Sequence, residues 1–208
     1  MPTWNELFQD EQFIWKDPHP KVVALAAELK RREASRVLDL GCGAGRHTVF
    51  LAREGFAVCG SDVAERGLAH TRAWLAREGL RAALIRADMT ALPHPDRLFD
   101  AVISTYVIYH NPLALIQRSV DEIQRVLRPS GLAFLTLIST RASKYGQGEE
   151  IEPHTFIPTA HAEEGVVHHY FDEARARALL ADFRILELAL EEHEWPDDAG
   201  RPRRHSHW

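Results

Sequence analysis

The stretch VLDLGCGAGRH, Val37 to His47, decides how the rest of the chain is read. An apolar run reaches Asp39, then Gly41, Gly43 and Gly45 alternate as the chain turns into a helical pattern. Glycine in such a turn lets a ligand approach the backbone closely. The helix that follows aims its unpaired N–H groups at the same place. In an open parallel sheet, turns of this kind lie outside the carboxyl ends of the strands, where ligands bind.

Outward from that turn, short apolar runs alternate with helical patterns. The runs are Arg36 to Leu40, Phe56 to Cys59, Ala82 to Ala87, Ala101 to Thr105 and Leu132 to Ile138. Each is nearly continuous in apolar residues, as parallel strands covered on both faces should be. The spacing predicts helices near 46–54, 65–78 and 113–127. Gly79 stops the second, while Asn111-Pro112 opens the third and Pro129-Ser130-Gly131 closes it. The fold class that follows is α/β, a doubly wound, Rossmann-like, mostly parallel sheet. Pro20 to Arg32 reads as an amphipathic helix leading into the first strand. Residues 141–170 show no sustained period and read as a lid or substrate loop. Asp172 caps a helix to about Asp182, Arg184 to Leu190 reads as a sixth strand, and Pro196 to Gly200 as a turn.

Composition limits the function. The 208 residues hold 45% hydrophobic and 26% charged residues, the usual mix for a chain that buries a core. Lys+Arg 25 against Asp+Glu 30 gives −5, so no basic field points to nucleic acid. No apolar run nears the roughly 20 residues of a membrane span, and the first residues lack a signal-peptide pattern. Cys42 and Cys59 cannot make a disulfide framework. The expectation is a cytoplasmic, reduced protein of one domain: an arm and helix over 1–34, a core over 35–140, the loop over 141–170, and a helix with strands over 171–208.

Two more acids sharpen the turn. Asp62 ends FAVCGSD, 21 residues after Gly41, where an acid can accept hydrogen bonds from both ribose hydroxyls. Asp88 in IRADMT ends the third strand, where it could accept from an adenine amino group, with Met89 packing on the ring. Acids at strand ends also occur as plain turn residues; three on consecutive strands around a glycine turn favour a nucleoside. The dinucleotide fingerprint asks for a glycine sixth from Gly41, and Arg46 stands there. Asp39 also suits an ammonium better than a pyrophosphate.

From Val37 to Thr140 the chain resembles the class I S-adenosylmethionine-dependent methyltransferases. VLDLGCGAGR, CGSDVAERGLAHTR, ADMTALP, FDAVISTYVIYH and EIQRVLRPSGLAFLTL carry the likeness. FIWKDPHP, GRHTVFLA, IEPHTF and EEGVVHHYFDEARARALL resemble, more loosely, a small bacterial and archaeal group near the tellurite-resistance-type methyltransferases. The resemblance implies S-adenosyl-L-methionine as cofactor, with S-adenosyl-L-homocysteine as product. It places Asp39, Gly41 and Gly43 around the methionine moiety, Asp62 at the ribose and Asp88 with Met89 at the adenine. Ser104, Thr105 and Tyr106 lie beside the transferring methyl, and Cys42, Arg46 and Val63 complete the cofactor-binding set. The family's sheet adds a seventh, antiparallel strand after Pro196. Only RPRRHSHW follows, so that strand is expected to be short or cut off, leaving an edge that a second copy could cover.

The implied reaction is methyl transfer to a small-molecule acceptor, with no membrane or nucleic-acid partner. A proton-bearing acceptor makes a base useful, and His110 is the candidate, with capping or support of a neighbour as its other reading. Tyr106 is a second catalytic candidate; Tyr106 and Tyr109 would orient the acceptor or simply wall the pocket. Trp15, Tyr109, Tyr145 and His169 are candidate substrate contacts. Seven of the twelve histidines fall from His154 onward, but adjacent His168-His169 and the pair His205, His207 lack metal-motif spacing, so no metal is expected. The alternatives are a non-catalytic S-adenosylmethionine-binding sensor and a nicotinamide-dependent oxidoreductase.

Overall fold

The computed structural model describes residues 4–159, 163–196 and 202–208. The chain starts with α1 (Trp4–Leu7) and a 3-10 turn (Glu11–Phe13). It continues into α2 (Pro20–Arg31), with Pro20 in the first turn and the His19 ring capping the helix by accepting the Lys21 amide. Then come β1 (Arg36–Leu40), α3 (Arg46–Arg53), β2 (Ala57–Asp62), α4 (Glu65–Arg77), β3 (Ala83–Arg86) and β4 (Phe99–Ser104). α5 (Leu113–Val126) runs directly into β5 (Leu127–Leu135). β1 to β4 and α3 to α5 lie close to the predicted elements, whose apolar runs and 3.6-residue periods are clear, but β5 begins at Leu127 rather than Leu132 and takes in Pro129-Ser130-Gly131, which was read as the stop after the helix.

Two compact units form, one of residues up to Thr105 with Asp121–Leu135, the other of Tyr106–Val120 with Thr136–Trp208. The first holds a five-stranded, all-parallel sheet in the order β3-β2-β1-β4-β5. Chain order reverses between β1 and β4, the switch point at which open α/β sheets bind ligands. One face of β1 and β4 packs Val37, Ala101 and Ile103 against Val22, Ala26 and Leu29 of α2 and Leu51 of α3. Each such aliphatic side chain contributes about 1.5–3 kcal/mol by leaving water. Asp100 in β4 accepts the Ser35 and Arg36 amides at 2.6 and 2.8 Å, tying the start of β1 to its neighbour.

The second unit corrects two expectations. Residues 141–170 are not one open loop: β6 (Glu149–Glu152), β7 (Thr155–Ile157) and β8 (His168–His169) make a three-stranded antiparallel sheet. Strands of four, three and two residues are too short to print a period of two. After α6 (Glu173–Leu179), residues 184–190 are not a strand. Their apolar residues suit a strand, but Leu186 is 62% exposed, and propensity without a neighbouring ladder does not make one. The strand forms just beyond, as β9 (Glu191–Pro196), antiparallel to β10 (Pro202–His207). β10, six residues long, belongs to this two-stranded sheet. Its end also pairs with the stretch after β5: Leu137 and Trp208 exchange amide–carbonyl bonds at 3.0 and 2.8 Å, and Ser139 N–H donates to Ser206 O at 2.8 Å. The turn read at Pro196 to Gly200 falls on residues 197–200, outside the described residues. Cys42 and Cys59 are both free and buried. Among the described residues no helix is long and apolar enough to cross a membrane.

Candidate functional site

The glycine turn stands at the carboxyl end of β1, with Gly41, Gly43 and Gly45 at φ of 71°, 52° and 93°. Only glycine adopts these values without strain. Its amides are already used inside the turn. Gly41 and Cys42 N–H donate to Ser61 O, Gly43 N–H to Asp62 Oδ2 at 2.7 Å, and Gly45 N–H to Cys42 O. A pyrophosphate cradle needs such amides aimed outward. The glycines also make room for protein: a Cβ on Gly43 would stand 2.9 Å from the Phe8 ring, and one on Gly45 2.5 Å from the Thr71 hydroxyl. Phe8 belongs to the N-terminal arm, which also lends Asn5 Oδ1 to the Arg66 amide in the first turn of α4.

Asp39 is 2% exposed near the end of β1, and the Thr48 hydroxyl of α3 donates to it at 2.6 Å. Burial raises its carboxyl to about 6, against the pull of Thr48 and the Arg46 charge. Asp62 ends β2, where it also accepts the Ala64 amide at 2.8 Å. Burial pushes its carboxyl up as well, opposed by the Ala64, Gly43 and Val63 amides. Val63 beside it is 41% exposed, an apolar side chain left in the open. Asp88, two residues past β3, is exposed and accepts the Thr90 amide and hydroxyl, both at 2.8 Å; Met89 is half-buried.

A second set converges at the start of α3. The Arg46 guanidinium lies over the Trp15 ring, 4.6 Å from its centroid, and its Nη2 donates to Thr105 Oγ1 at 3.3 Å. Thr105 Oγ1 is 3.4 Å from His47 Nδ1, and His47 Nε2 accepts the His19 amide. Burial pushes His47 down to about 2, so it is neutral. Ser104, ending β4, is fully buried with no partner for its hydroxyl, as is Ser61 of β2. Trp15, Arg46 and Thr105, proposed separately from the sequence, thus form one contact chain. Thr48, His47, His19 and Phe8 were missed: each acts only through a residue distant in the chain.

The remaining candidates belong to the other unit. Tyr106 sits at φ 60°, uncommon for a non-glycine residue, its amide donating to Thr136 Oγ1 at 2.6 Å and its ring edge-on to His207. Tyr109 is buried, with its carbonyl accepting the His169 amide and its hydroxyl 3.4 Å from His207 Nε2. His110 packs against Tyr109 and His168, and burial pushes it down to about 3. Tyr145 places its hydroxyl 2.6 Å from His154 Nδ1 and its ring against Phe156 and Tyr170. His169 is turned into the β6–β8 sheet, its Nδ1 2.6 Å from the Thr155 hydroxyl, and burial lowers it to about 4. These contacts of Tyr109, Tyr145 and His169 lie within their own unit.

The sheet order 3-2-1-4-5, the glycine turn at its switch point and the acids near the ends of β1, β2 and β3 define an open α/β protein of the doubly wound class. Residues 37–131 match the model of a methyltransferase domain family. A malonyl-[acyl-carrier protein] O-methyltransferase of Enterobacter lignolyticus is 36% identical over 115 residues, 55% of this chain and 43% of that one. The chain matches roughly 36–49% of the length of the curated relatives. A SAM-dependent methyltransferase structure from Methanosarcina mazei has a TM-score of 0.71 at 21% identity, covering 92% of this chain and 96% of that one. TehB from Haemophilus influenzae gives 0.69 at 18% identity, covering 98% and 64%. Over residues 37–131 the chain matches a methyltransferase domain, and its fold is the one seen in these S-adenosylmethionine-dependent methyltransferase structures.

Proposed function

We propose that the chain binds S-adenosyl-L-methionine at the carboxyl ends of β1 to β4 and transfers its methyl group to a small molecule. The observation that carries this is the chemistry of the donor set. Two buried carboxylates, Asp39 and Asp62, flank a turn whose amides at 41, 42, 43 and 45 are already bonded. That set suits an ammonium and a pair of ribose hydroxyls, and it does not suit phosphate. The buried, unpartnered Ser104 hydroxyl is a further polar group for a ligand to satisfy.

The cofactor supplies a methyl on a sulfonium, already electrophilic. Asp39 neutralises the methionine ammonium, held in place by Thr48. Asp62, fixed by the Gly43 and Ala64 amides, keeps a lone pair on each oxygen for the ribose. Val63, 41% exposed, would offer apolar surface to the base, and Asp88, Met89, Cys42 and Arg46 would line the rest of the cofactor. Holding an acceptor in line with the S–CH₃ bond contributes roughly 7–11 kcal/mol, so positioning dominates. A thiolate or selenide needs no base. For an amine or hydroxyl a base would help, but burial pushes the sequence's candidate, His110, down to about 3, which makes it too weak a base to take a proton at pH 7. With free, buried cysteines, we place the protein in a reducing cytoplasm.

The test is mass spectrometry of products from a panel of thiol, selenide, amine and phenol acceptors, with Asp39→Asn as control. A methylated product from the parent protein, lost in the variant, is expected. Tight S-adenosylhomocysteine binding with no product across the panel would instead mean a cofactor-binding protein without transfer.

A further inference from the structure

A second group of donors lies in the unit that carries the β6–β8 sheet. His110 precedes α5, Glu163 precedes β8, and His168 begins β8. One ligand atom from each lies within 4.8 Å of the others. The geometry points to a divalent transition-metal site made by His110, Glu163 and His168, three protein donors with a fourth position left for water or a ligand.

The hydrogen bonds of His168 set its orientation. Its Nδ1 is 2.8 Å from the Val166 carbonyl, which can only accept, so Nδ1 carries a proton. Nε2 then faces Glu163 Oε2 at 3.2 Å. An imidazole whose far nitrogen is pinned to a backbone carbonyl, with its near nitrogen beside a carboxylate, is how proteins prepare a histidine ligand. Around a tetrahedral zinc with bonds of about 2.0–2.1 Å, donor atoms stand roughly 3.3–3.5 Å apart, so this pair already has ligand spacing. His110 meets the His168 ring edge-on, with centroids 4.5 Å apart, which brings one of its ring nitrogens within 4.8 Å of the other two donors. Burial keeps His110 neutral, the form that ligates. Two imidazoles and a carboxylate suit zinc and related divalent ions.

A second observation points the same way. Tyr170 is fully buried, and its hydroxyl has no partner. Its ring stacks along His168 with centroids 6.2 Å apart, and its hydroxyl is held protonated by burial and by the charge of Glu163. A water on the open metal position would give that hydroxyl a partner. Lys144 Nζ, 2.8 Å from Glu163 Oε2, is the competing cation. Its side chain is 31% exposed, on a long stem that can turn to solvent.

Calorimetric titration of the untagged, chelator-stripped 208-residue chain with Zn²⁺ tests this, followed by Co²⁺ with visible absorption. One equivalent should bind with a Kd of micromolar or below, and Co²⁺ should show tetrahedral d–d bands. Glu163→Gln and His168→Ala should each weaken binding by ~100-fold or more. Lys144→Gln should tighten it, an effect that a merely structural Lys–Glu–His network would not give. Exposed His193→Ala is the control and should change nothing. Absence of binding overturns the site, as does equal affinity in the parent chain and folded Glu163→Gln. Should His168→Ala fail to fold by circular dichroism, Glu163→Gln and Lys144→Gln decide alone.

Discussion

Asp39 sits where burial works against its charge, and that has measurable consequences. Its folded value of about 6, above the ordinary 3.8, means the folded chain keeps a proton between about pH 4 and 6 that the unfolded chain has lost. Stability therefore falls as pH rises through that window, and above it the ionised carboxylate costs up to about 3 kcal/mol. Asp39→Asn should raise the melting temperature of the ligand-free protein at pH 7.5 by roughly 2–8 °C, read by calorimetry. The same change should abolish S-adenosylhomocysteine binding. In the parent chain, ligand affinity should be flat above pH 6 and fall about tenfold per pH unit below it, as the proton competes with the ammonium. Asp62 behaves differently, because it holds the Gly43 and Ala64 amides as well as facing the ligand. Asp62→Ala should lose ligand binding and also about 1–3 kcal/mol of stability per orphaned amide, measured by urea unfolding. Asp62→Asn, which keeps one acceptor oxygen, should lose less stability than Asp62→Ala.

At the scale of elements, the glycine turn tolerates little change. Gly45 combines φ 93° with a Cβ position 2.5 Å from Thr71, whose hydroxyl donates to Gly43 O and Gly67 O. Gly45→Ala should cost on the order of 2–4 kcal/mol in denaturant unfolding, from backbone strain and overpacking together. Gly79→Ala, at φ 66° with nothing nearby to clash, should cost about 1–2 kcal/mol. Sequence reading recovered β1 and α5 nearly residue for residue, since their patterns are long and local. It found the three acids because strand ends are legible from the runs before them. The partners of those acids were not legible: Thr48 reads as an ordinary helix residue until α3 packs it on Asp39. Phe8 and Asn5 came from an arm with no period at all. Residues 184–190 misled in the opposite direction, having strand composition but no neighbour to pair with.

The C-terminal strand shows how the second unit depends on its last residues. Leu137, Ser139 and Phe171 all bond to Ser206 or Trp208, the last through the Trp208 indole N–H at 3.0 Å. Deleting 203–208 would remove those bonds and all of β9's partner strand except Pro202. The truncated chain should bind the hydrophobic dye ANS and melt several degrees lower, while an unaltered melting profile would mean that β10 contributes nothing to the unit. The strand also carries His207, against which Tyr106 and Tyr109 pack.

The cofactor is the centre of the account, and one titration tests it most directly. Calorimetric titration with S-adenosylhomocysteine, run beside NAD at the same concentrations, should give one site of micromolar Kd for the first and no heat of binding for the second. Binding of NAD, or of neither, would contradict the assignment of Asp39, Asp62 and the glycine turn to a sulfonium nucleoside.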